Sequence, residues 1–325
     1  MLAAYAAGQD ASDPLSGLVV ADLEDPGPPH PDWVQVRVRA AALNHHDLWS
    51  LRGVGLPADR LPMVLGCDAA GVDAEGREVI VHSVVGDPRW RGDETLDPAR
   101  TLLSEKYPGT LAETVWVPPG NLLPKPSELS WAQAACLPTA YLTAYRLLFH
   151  AAELRPGQRV LVQGAGGGVS TAAVVLGRAA GLEVWVCGRD ADRNQRALDL
   201  GAHAVFPSGA RLPGQVDAVV ETVGEATWAH SLRVLRPGGT IAVAGATSGA
   251  MPPAELNRVF FRSVRVVGST MGTFEELRLV AALLVVSGAR PVVDDVVPLA
   301  EAGRAFARLA EGEVFGKLVL EVAGS

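Results

Sequence analysis

The sequence predicts an α/β fold built on a doubly wound parallel sheet. Residues 158–202 read as strand, glycine turn, helix and strand, in that order. Alternating strand and helix patterns continue to residue 268, and such alternation is typical of a parallel sheet with helices on both faces. Before residue 125 the chain shows several short strand patterns, among them a regular apolar and polar alternation over 33–42.

Local patterns predict the remaining elements. Residues 130–150 have helical spacing, with Ser130 as the candidate N-cap and Pro138 expected to interrupt or restart the helix. Strands are expected at 203–206, 216–221, 240–244 and 264–268, with a helix at 225–235 that ends in the turn RPGG. The last part is expected to form a strand in PVVDDVVPL, a helix from Ala300 to Leu309 and a closing strand in GKLVLEV.

The glycine turn predicts a dinucleotide-binding unit. It follows the β-branched run from Val160 to Val162 and precedes a helical pattern that ends at Gly181. Glycine lets the backbone approach a pyrophosphate closely, and the helix start presents unpaired N–H groups and a positive dipole end. The turn is not a strict G-x-G-x-x-G, and a purely structural turn is the alternative. The residues expected to contact the nucleotide are Gly166, Gly167, Gly168, Val169 and Ser170.

The end of the second strand in this unit favours NADP(H) over NAD(H). An NAD site usually places Asp or Glu there, where it bonds the ribose hydroxyls. This chain has Gly188 and then Arg189, with Arg193 one helical turn further on. A guanidinium group can pair with a 2′-phosphate in a bidentate way, so Arg189 and Arg193 are predicted to bind that phosphate, with Gly188 as a further cofactor contact. Asp190 and Asp192 argue against NADP(H), since either carboxylate could bond the ribose hydroxyls of NAD(H).

Composition excludes several classes of protein. The chain has 325 residues, a net charge of −8 and 48% hydrophobic residues, which is typical of a globular protein with a large core. A net acidic balance argues against a nucleic-acid partner, and no apolar run approaches the roughly 18 residues of a membrane span. The first residues lack the pattern of a secretory signal, and three cysteines are too few for a disulfide framework. We therefore expect a cytoplasmic protein with a small-molecule substrate.

The order of motifs resembles the medium-chain dehydrogenase/reductase superfamily along nearly the whole chain. The motifs are NHHDLW, GCDAAG, VWVPPGNLLPKP, LPTAYLTAY, the glycine turn, DAVVETVG, LRPGGTIAVAG and GKLVLEV. The resemblance implies a GroES-like, mostly-β catalytic domain formed by residues 1–125 and 290–325. It also implies a Rossmann domain over residues 126–289.

Carried over to this chain, the zinc positions of that superfamily lack most of their ligands. The first-ligand position falls on Asn44, the next motif on Gly66-Cys67-Asp68, and the third ligand on residues 137–139, which contain neither Cys nor His. A catalytic zinc needs about three protein ligands, so the resemblance implies a site without metal. The structural zinc would lie near residues 86–112, which contain no cysteine. A zinc site built from Cys67, Asp68 and a histidine stays open as the alternative.

A site without metal resembles that of the quinone oxidoreductase and enoyl reductase branch of the superfamily. Asn44 at the first-ligand position and the LTAY motif add to this resemblance. That resemblance implies hydride transfer from NADPH to a quinone, enone or other activated carbonyl compound. Hydrogen-bond donors must then polarise the substrate oxygen. The predicted catalytic residues are Asn44, through its amide N–H, and His46, as a proton donor near neutral pH. The alternative is that Asn44 only shapes the cofactor pocket and that His46 caps a loop.

The resemblance implies further cofactor contacts. His45 and Lys317 match positions that touch the pyrophosphate, and Thr143 matches the hydroxyl residue behind the nicotinamide ring. The remaining candidates lie at strand ends and are Gly224, Gly245, Ala246 and Ser269. The strand before Ser269 is the usual dimer contact of the superfamily, which implies a homodimer.

Two rival functions are a zinc-dependent alcohol dehydrogenase and an NADPH-binding sensor without catalysis, and the substrate itself is left open.

Overall fold

The computed structural model describes residues 1–322, which divide into two compact units. The first unit contains residues 1–139, residues 273–281 and the chain from residue 293 onward. The second unit contains residues 140–272 and 282–292. Each unit has its own sheet, and each is described separately below. No helix within residues 1–322 has the length and apolar character needed to cross a membrane.

The first part of the chain is mostly β. Its strands are β1 (Leu2–Ala6), β2 (Leu18–Asp22), β3 (Val34–Ala42), β4 (Met63–Val64), β5 (Asp68–Asp73), β6 (Glu78–Val81), β7 (Val84–Val85), β8 (Thr101–Leu102), β9 (Thr114–Val117) and β10 (Leu122–Pro124). Its helices are α1 (His45–Leu51) and α2 (Trp131–Ala135). In β3, Val36 and Val38 are buried and Arg37 between them is exposed, as the alternation in the sequence predicts.

The chain continues into the second unit with alternating helices and strands. The helices are α3 (Leu142–Tyr145), α4 (Gly168–Ala179), α5 (Ala191–Asp199), α6 (Glu225–Val234) and α7 (Leu256–Phe261). The strands are β11 (Arg159–Gln163), β12 (Glu183–Gly188), β13 (Ala204–Pro207), β14 (Val216–Glu221), β15 (Leu235–Val243) and β16 (Arg265–Gly268). The sheet order is β13-β12-β11-β14-β15-β16, with every neighbouring pair parallel.

This sheet is a doubly wound Rossmann sheet, as the sequence predicts. Successive strands run outward from β11 in one direction through β12, and the order then reverses at β14. The expected RPGG turn is instead part of β15, because a register shift between Val216 and Ala218 lets the two strands pair around Pro237 and its glycines. Ligands of such sheets bind at the carboxyl ends of the strands beside the reversal, which here means the turns after β11 and β14.

The last elements are α8 (Phe274–Ser287), β17 (Val293–Pro298), α9 (Ala302–Glu311) and β18 (Lys317–Glu321). In the first unit, β18 pairs with β3 on one side and β17 on the other, within a sheet ordered β10-β6-β5-β3-β18-β17. Phe306 of α9 is buried in the same apolar core as Val36 and Leu318. The first unit therefore needs both ends of the chain for its main sheet.

The division of the chain lies later than the expected boundary between residues 125 and 126. Helix α2 packs against β3 and β5, so it belongs to the first unit. Ser130 is its N-cap, as predicted, because its hydroxyl accepts the N–H of Gln133 at 3.2 Å and the Gln133 side chain accepts the N–H of Ser130 at 3.1 Å. Wider π-helical turns follow over Leu137–Tyr141, which contains Pro138, and over Arg146–Ala151.

Candidate functional site

Polar side chains of the first unit gather where β3 ends and α1 begins. Asn44 is the N-cap of α1, and Asp47 in the first turn accepts the backbone N–H of Asn44 at 2.8 Å. The other oxygen of Asp47 accepts the N–H of Gly66 at 3.1 Å. Burial raises the pKa of Asp47 to about 6. Asp47 therefore ties the start of α1 to the turn that precedes β5.

Lys317 occupies the centre of this polar group. Its side chain is 3% exposed and that of its partner Asp68 is 0% exposed. The ammonium donates to Leu43 O at 2.6 Å, Asn44 Oδ1 at 2.6 Å and Asp68 Oδ2 at 3.1 Å. An ammonium has three N–H donors, and here each has an acceptor. The expectation that Lys317 contacts the cofactor pyrophosphate stays a prediction, and in this structure its three N–H groups bond to residues of the first unit.

The amide of Asn44 is used in the same way. Its Nδ2 donates to Asp68 Oδ2 at 2.9 Å and to Ala42 O at 3.3 Å, and its oxygen accepts from Lys317. Both amide N–H groups therefore have partners within the protein. The role of Asn44 as an amide N–H donor to the substrate stays a prediction, and it would require one of these two bonds to be exchanged. Asn44 caps α1 and orients Asp68.

The zinc that many members of this fold bind does not fit these residues. The Asp68 carboxylate is neutralised by the Lys317 ammonium, and residues 137–139 provide neither Cys nor His. Across residues 1–322 no cluster of three or more His, Cys, Asp or Glu side chains is arranged to hold a metal ion. A zinc ion would have to displace a buried cation that already has its hydrogen bonds.

His46 lies between two other side chains of the first unit. Its Nδ1 is 3.5 Å from Cys67 Sγ, and its Nε2 is 3.2 Å from Glu105 Oε1. These contacts are on opposite sides of the ring, so the three groups do not converge on a common point. The adjacent His45 also belongs to α1 and is exposed.

The charges around these groups set their protonation. Burial of the His46 ring opposes its charged form, but Cys67 and Glu105 raise the pKa of His46 well above its usual value. Burial raises the pKa of the Cys67 thiol, while the contact with His46 lowers the pKa of Glu105 against the effect of its own burial. Desolvation lowers the pKa of His45, and the positive charge of Lys317 acts in the same direction. The pKa values of the two histidines are therefore shifted in opposite directions.

The glycine turn of the second unit leads directly into α4. Gly164 has φ +92°, a backbone conformation that glycine adopts without strain, and Gly167 is the N-cap of the helix. Gly167 is exposed, and a Cβ at that position would meet no atom closer than 3.9 Å. Ser170 is buried in the first turn of the helix. The turn thus presents open backbone at a helix start, which fits a pyrophosphate.

The end of β12 has no room for a carboxylate side chain. A Cβ on Gly188 would lie 2.2 Å from Asn194 Oδ1 and 2.8 Å from Ala165 Cβ. Arg189 is exposed immediately after the strand. The carboxylate of Asp190 accepts the backbone N–H of Arg193 at 2.8 Å, so it caps α5. Any side chain at position 188 would therefore have to displace Asn194 or Ala165.

A buried glutamate that the sequence analysis missed fixes the turn after β14. Glu221 accepts the N–H groups of Val223 at 2.9 Å and Gly224 at 3.1 Å. The hydroxyls of Thr227 and Ser231 donate to it at 2.8 Å and 2.6 Å. Its position at the end of an apolar strand pattern was the signal that could have identified it. The turn containing Gly224 is therefore held rigidly at the carboxyl end of the sheet.

The other predicted cofactor residues of the second unit lie in three places. Gly245 and Ala246 follow β15, and Ser269 follows β16 with its N–H bonded to Val243 O at 2.8 Å. Both positions are at the carboxyl edge of the sheet, as predicted. Thr143 is buried in α3. Gly166 is buried, and Gly168 and Val169 are half-buried in the glycine turn and the start of α4.

The fold and the sites define an oxidoreductase with a Rossmann unit and a GroES-like unit. Residues 30–127 match the family model of the alcohol dehydrogenase GroES-like domain, and residues 168–286 match that of the zinc-binding dehydrogenase. The chain is 35% identical to an NAD-dependent alcohol dehydrogenase of known structure, with a TM-score of 0.90, over 99% of this chain and 100% of that one. The protein belongs to the medium-chain dehydrogenase/reductase superfamily.

Two further relatives act on other substrates. The quinone oxidoreductase of Mus musculus is 28% identical over 90% of this chain and 90% of its own. The 2-octenoyl-CoA carboxylase reductase CinF, solved with NADP and 2-octenoyl-CoA, is 25% identical with a TM-score of 0.89 over 99% of this chain and 87% of its own. Proteins with this fold therefore act on different substrates.

Replacement of Lys317 by methionine should lower the free energy of unfolding by about 3–5 kcal/mol, because Asp68 would be left buried without its cation. The measurement is urea denaturation at neutral pH followed by circular dichroism. The double variant with Asp68→Asn should recover part of the loss. Lys106→Met is the control at an exposed lysine, where we expect a loss below about 1 kcal/mol. Equal stability of Lys317→Met and the parent chain would contradict a structural ion pair.

Proposed function

We propose that this protein is a zinc-independent, NADPH-dependent oxidoreductase that transfers hydride to a quinone, enone or other activated carbonyl compound. The observation that carries the proposal is the Lys317 ammonium, which holds Asp68 and Asn44 at the positions where zinc-dependent relatives would bind metal. The relatedness to a quinone oxidoreductase and to an enoyl-CoA carboxylase reductase supports the same class of substrate.

The residues of this chain have separate tasks in such a reaction. The start of α4 and the glycine turn would bind the pyrophosphate, and Arg189 would bind the ribose phosphate. NADPH supplies the hydride when bound. His46 would give a proton to the reduced substrate, as the resemblance implies, and one of its ring nitrogens would have to leave Glu105 or Cys67 to do so. Asn44 would act as a positioning residue, since its amide N–H groups are already bonded.

A zinc-dependent alcohol dehydrogenase is the second candidate. The relatedness to an NAD-dependent alcohol dehydrogenase over the whole chain favours it. The buried Lys317–Asp68 pair opposes it, because a zinc ion and an ammonium would compete for one carboxylate. A catalytically silent NADPH sensor is the third candidate. Metal content and turnover separate these three functions.

Protein purified without chelator should contain far less than one zinc per chain, and it should oxidise NADPH in the presence of a quinone or an enone. The measurements are elemental analysis and the loss of NADPH absorbance over a panel of such acceptors. Treatment with a chelator should leave the rate unchanged. Stoichiometric zinc that is needed for turnover would favour the alcohol dehydrogenase, and tight NADPH binding without turnover would favour the sensor.

Arg189→Ala should weaken NADPH binding by about tenfold to a hundredfold and leave NADH binding unchanged, because a hydrogen-bonded charged contact contributes about 1.5–3 kcal/mol. Fluorescence titration of each reduced nucleotide gives the two dissociation constants. Arg196→Ala is the control at an exposed arginine on α5, the helix that follows Arg189. An unchanged preference for NADPH in Arg189→Ala would count against the assignment of this residue.

The edge strand β16 supports a homodimer. It is the last strand of the sheet, with a free edge, and its Val266 is 48% exposed. Phe261 of the preceding helix α7 is 80% exposed, and it lies in ring contact with the exposed Phe260. Apolar residues beside a free strand edge suit a second copy of the same chain.

The protein would reside in the cytoplasm, where its three free cysteines would stay reduced.

Val266→Lys should convert the dimer to a monomer, since a charged side chain on the edge strand opposes pairing with a second copy. Size-exclusion chromatography with light scattering gives the molar mass. Val286→Lys is the control, because this exposed valine lies on α8 rather than on the edge strand. A monomeric parent protein would refute the dimer, and a dimeric Val266→Lys variant would place the contact elsewhere.

A further inference from the structure

The buried carboxylate of Glu221 anchors the turn that follows β14. The side chain is fully buried in the second unit. Its donors are the N–H groups of Val223 and Gly224 and the hydroxyls of Thr227 and Ser231. A carboxylate has about four acceptor positions, so its capacity is used by these groups. The turn cannot shift without leaving a buried carboxylate and its donors short of partners.

The turn after β14 is bonded in its own right to the segment after β15. The carbonyl oxygen of Val223 accepts both the N–H and the hydroxyl of Ser248, each at 2.7 Å. The N–H of Glu225 donates to Gly249 O at 3.1 Å. Gly224 has φ +93°, and a Cβ there would lie 2.3 Å from the same oxygen. The paired turns, residues 222–226 and 245–249, are therefore held together as one body.

A chain of buried side chains connects this carboxylate to the end of β11. The Ser231 hydroxyl, which donates to Glu221, accepts an amide N–H of Gln163 at 3.0 Å. The second amide N–H donates to Nδ1 of His230 at 3.0 Å. Gln163 is the last residue of β11, directly before the glycine turn. The chain from Gln163 through Ser231 to Glu221 thus joins the two strands at which the order of the sheet reverses.

The glycine turn and the paired turns belong to opposite halves of the predicted dinucleotide site. The glycine turn after β11 is expected to bind the pyrophosphate, and Arg189 after β12 the phosphate on the adenosine ribose. In the sheet, β12 lies on one side of β11, and β14 and β15 lie on the other. The nicotinamide half of the cofactor is therefore expected over the paired turns, which contain the predicted contacts Gly224, Gly245 and Ala246.

We infer that Glu221 is a positioning residue for the nicotinamide half of the cofactor, because it fixes the paired turns relative to the glycine turn. This inference rests on the proposed function, in which the chain binds NADPH. The carboxylate itself does not touch the cofactor, since it is fully buried and its acceptor positions are filled. Its loss should weaken the hold on the nicotinamide and leave the contacts to the two phosphate groups intact.

The test compares binding of NADPH with binding of 2′-phospho-ADP-ribose, which has the same phosphates but no nicotinamide. Isothermal titration calorimetry on the full chain gives both dissociation constants without any turnover. The parent chain should bind NADPH more tightly than the fragment. We expect Glu221→Ala to weaken NADPH binding by about tenfold or more and fragment binding by less than about twofold.

Glu221→Gln is the conservative variant. Its amide oxygen can keep the N–H groups of Val223 and Gly224. Its amide nitrogen takes the place of the other oxygen, and the Ser231 hydroxyl can accept the new N–H because it has two acceptor lone pairs. We expect this variant to bind NADPH within about threefold of the parent chain.

Asp217→Ala is the matched control for a loss that is only structural. Asp217 lies on the same strand as Glu221, near its other end. It accepts the N–H of Arg159 at 2.8 Å and a guanidinium N–H of Arg236 at 2.7 Å. We expect Asp217→Ala to be less stable to urea, while the ratio of the two dissociation constants stays that of the parent chain.

If Glu221→Ala does not fold, Ser231→Ala gives the same comparison, because it cuts only the link between Glu221 and Gln163. It should weaken NADPH binding more than fragment binding. An unchanged ratio of dissociation constants in the folded variant overturns the inference, as does a parent chain that binds NADPH and the fragment equally.

The proposed function can fail separately. If the ratio changes as expected but no quinone or enone is reduced, the inference stands and the proposed reaction is refuted. If acceptors are reduced and Glu221→Ala weakens both ligands equally, the proposed function stands and the inference is refuted. A parent chain that binds neither ligand refutes both.

Discussion

The site of the first unit depends on the ion pair between the Lys317 ammonium and the Asp68 carboxylate. Transfer of two such charges out of water costs several kcal/mol per ion, and only good geometry with further hydrogen bonds offsets it. Here the ammonium has three acceptors, and Asp68 Oδ2 also receives a hydrogen bond from Asn44. One buried positive charge thus orients the Asn44 amide and joins β18 to the start of β5.

The Lys317 charge also helps to position the two predicted catalytic residues, Asn44 and His46. Asn44 is both a partner of Lys317 and the N-cap of α1, so the direction of the helix follows from the ion pair. His46 is in the first turn of that helix, and its ring is further fixed by Glu105 and Cys67. Without the Lys317 cation, the folded chain would bury the Asp68 carboxylate without compensation.

Sequence patterns predicted the second unit well because its elements are local. The β-branched run at Val160, the glycine turn and the following helix carry their own periodicity and end signals. Helix α1 was not predicted because it has only seven residues, of which Leu48 and Leu51 alone form a short apolar pair at helical spacing. The RPGG segment is a turn by composition, yet it pairs within β15 because the neighbouring strand shifts its register.

The candidate site was predicted less completely, since its contacts join distant residues. Asn44 and His46 were identified by position, but the hydrogen bonds that decide their roles come from Lys317 and Glu105. Neither contact leaves a periodic or compositional signal. The exposed Arg189 after Gly188 and the glycine turn were predictable, because the nucleotide contacts of a Rossmann unit lie within one short stretch of chain.

The place of β18 in the main sheet has a consequence for how the chain matures. This strand is inserted between β3 and β17, and its Lys317 bonds Leu43, which lies 274 residues earlier. During translation the amino-terminal strands leave the ribosome long before their central neighbour exists. The dinucleotide-binding unit, whose strands are contiguous, can be folded by then. Until β18 has been made, the edge of β3 that it covers has unpaired backbone groups.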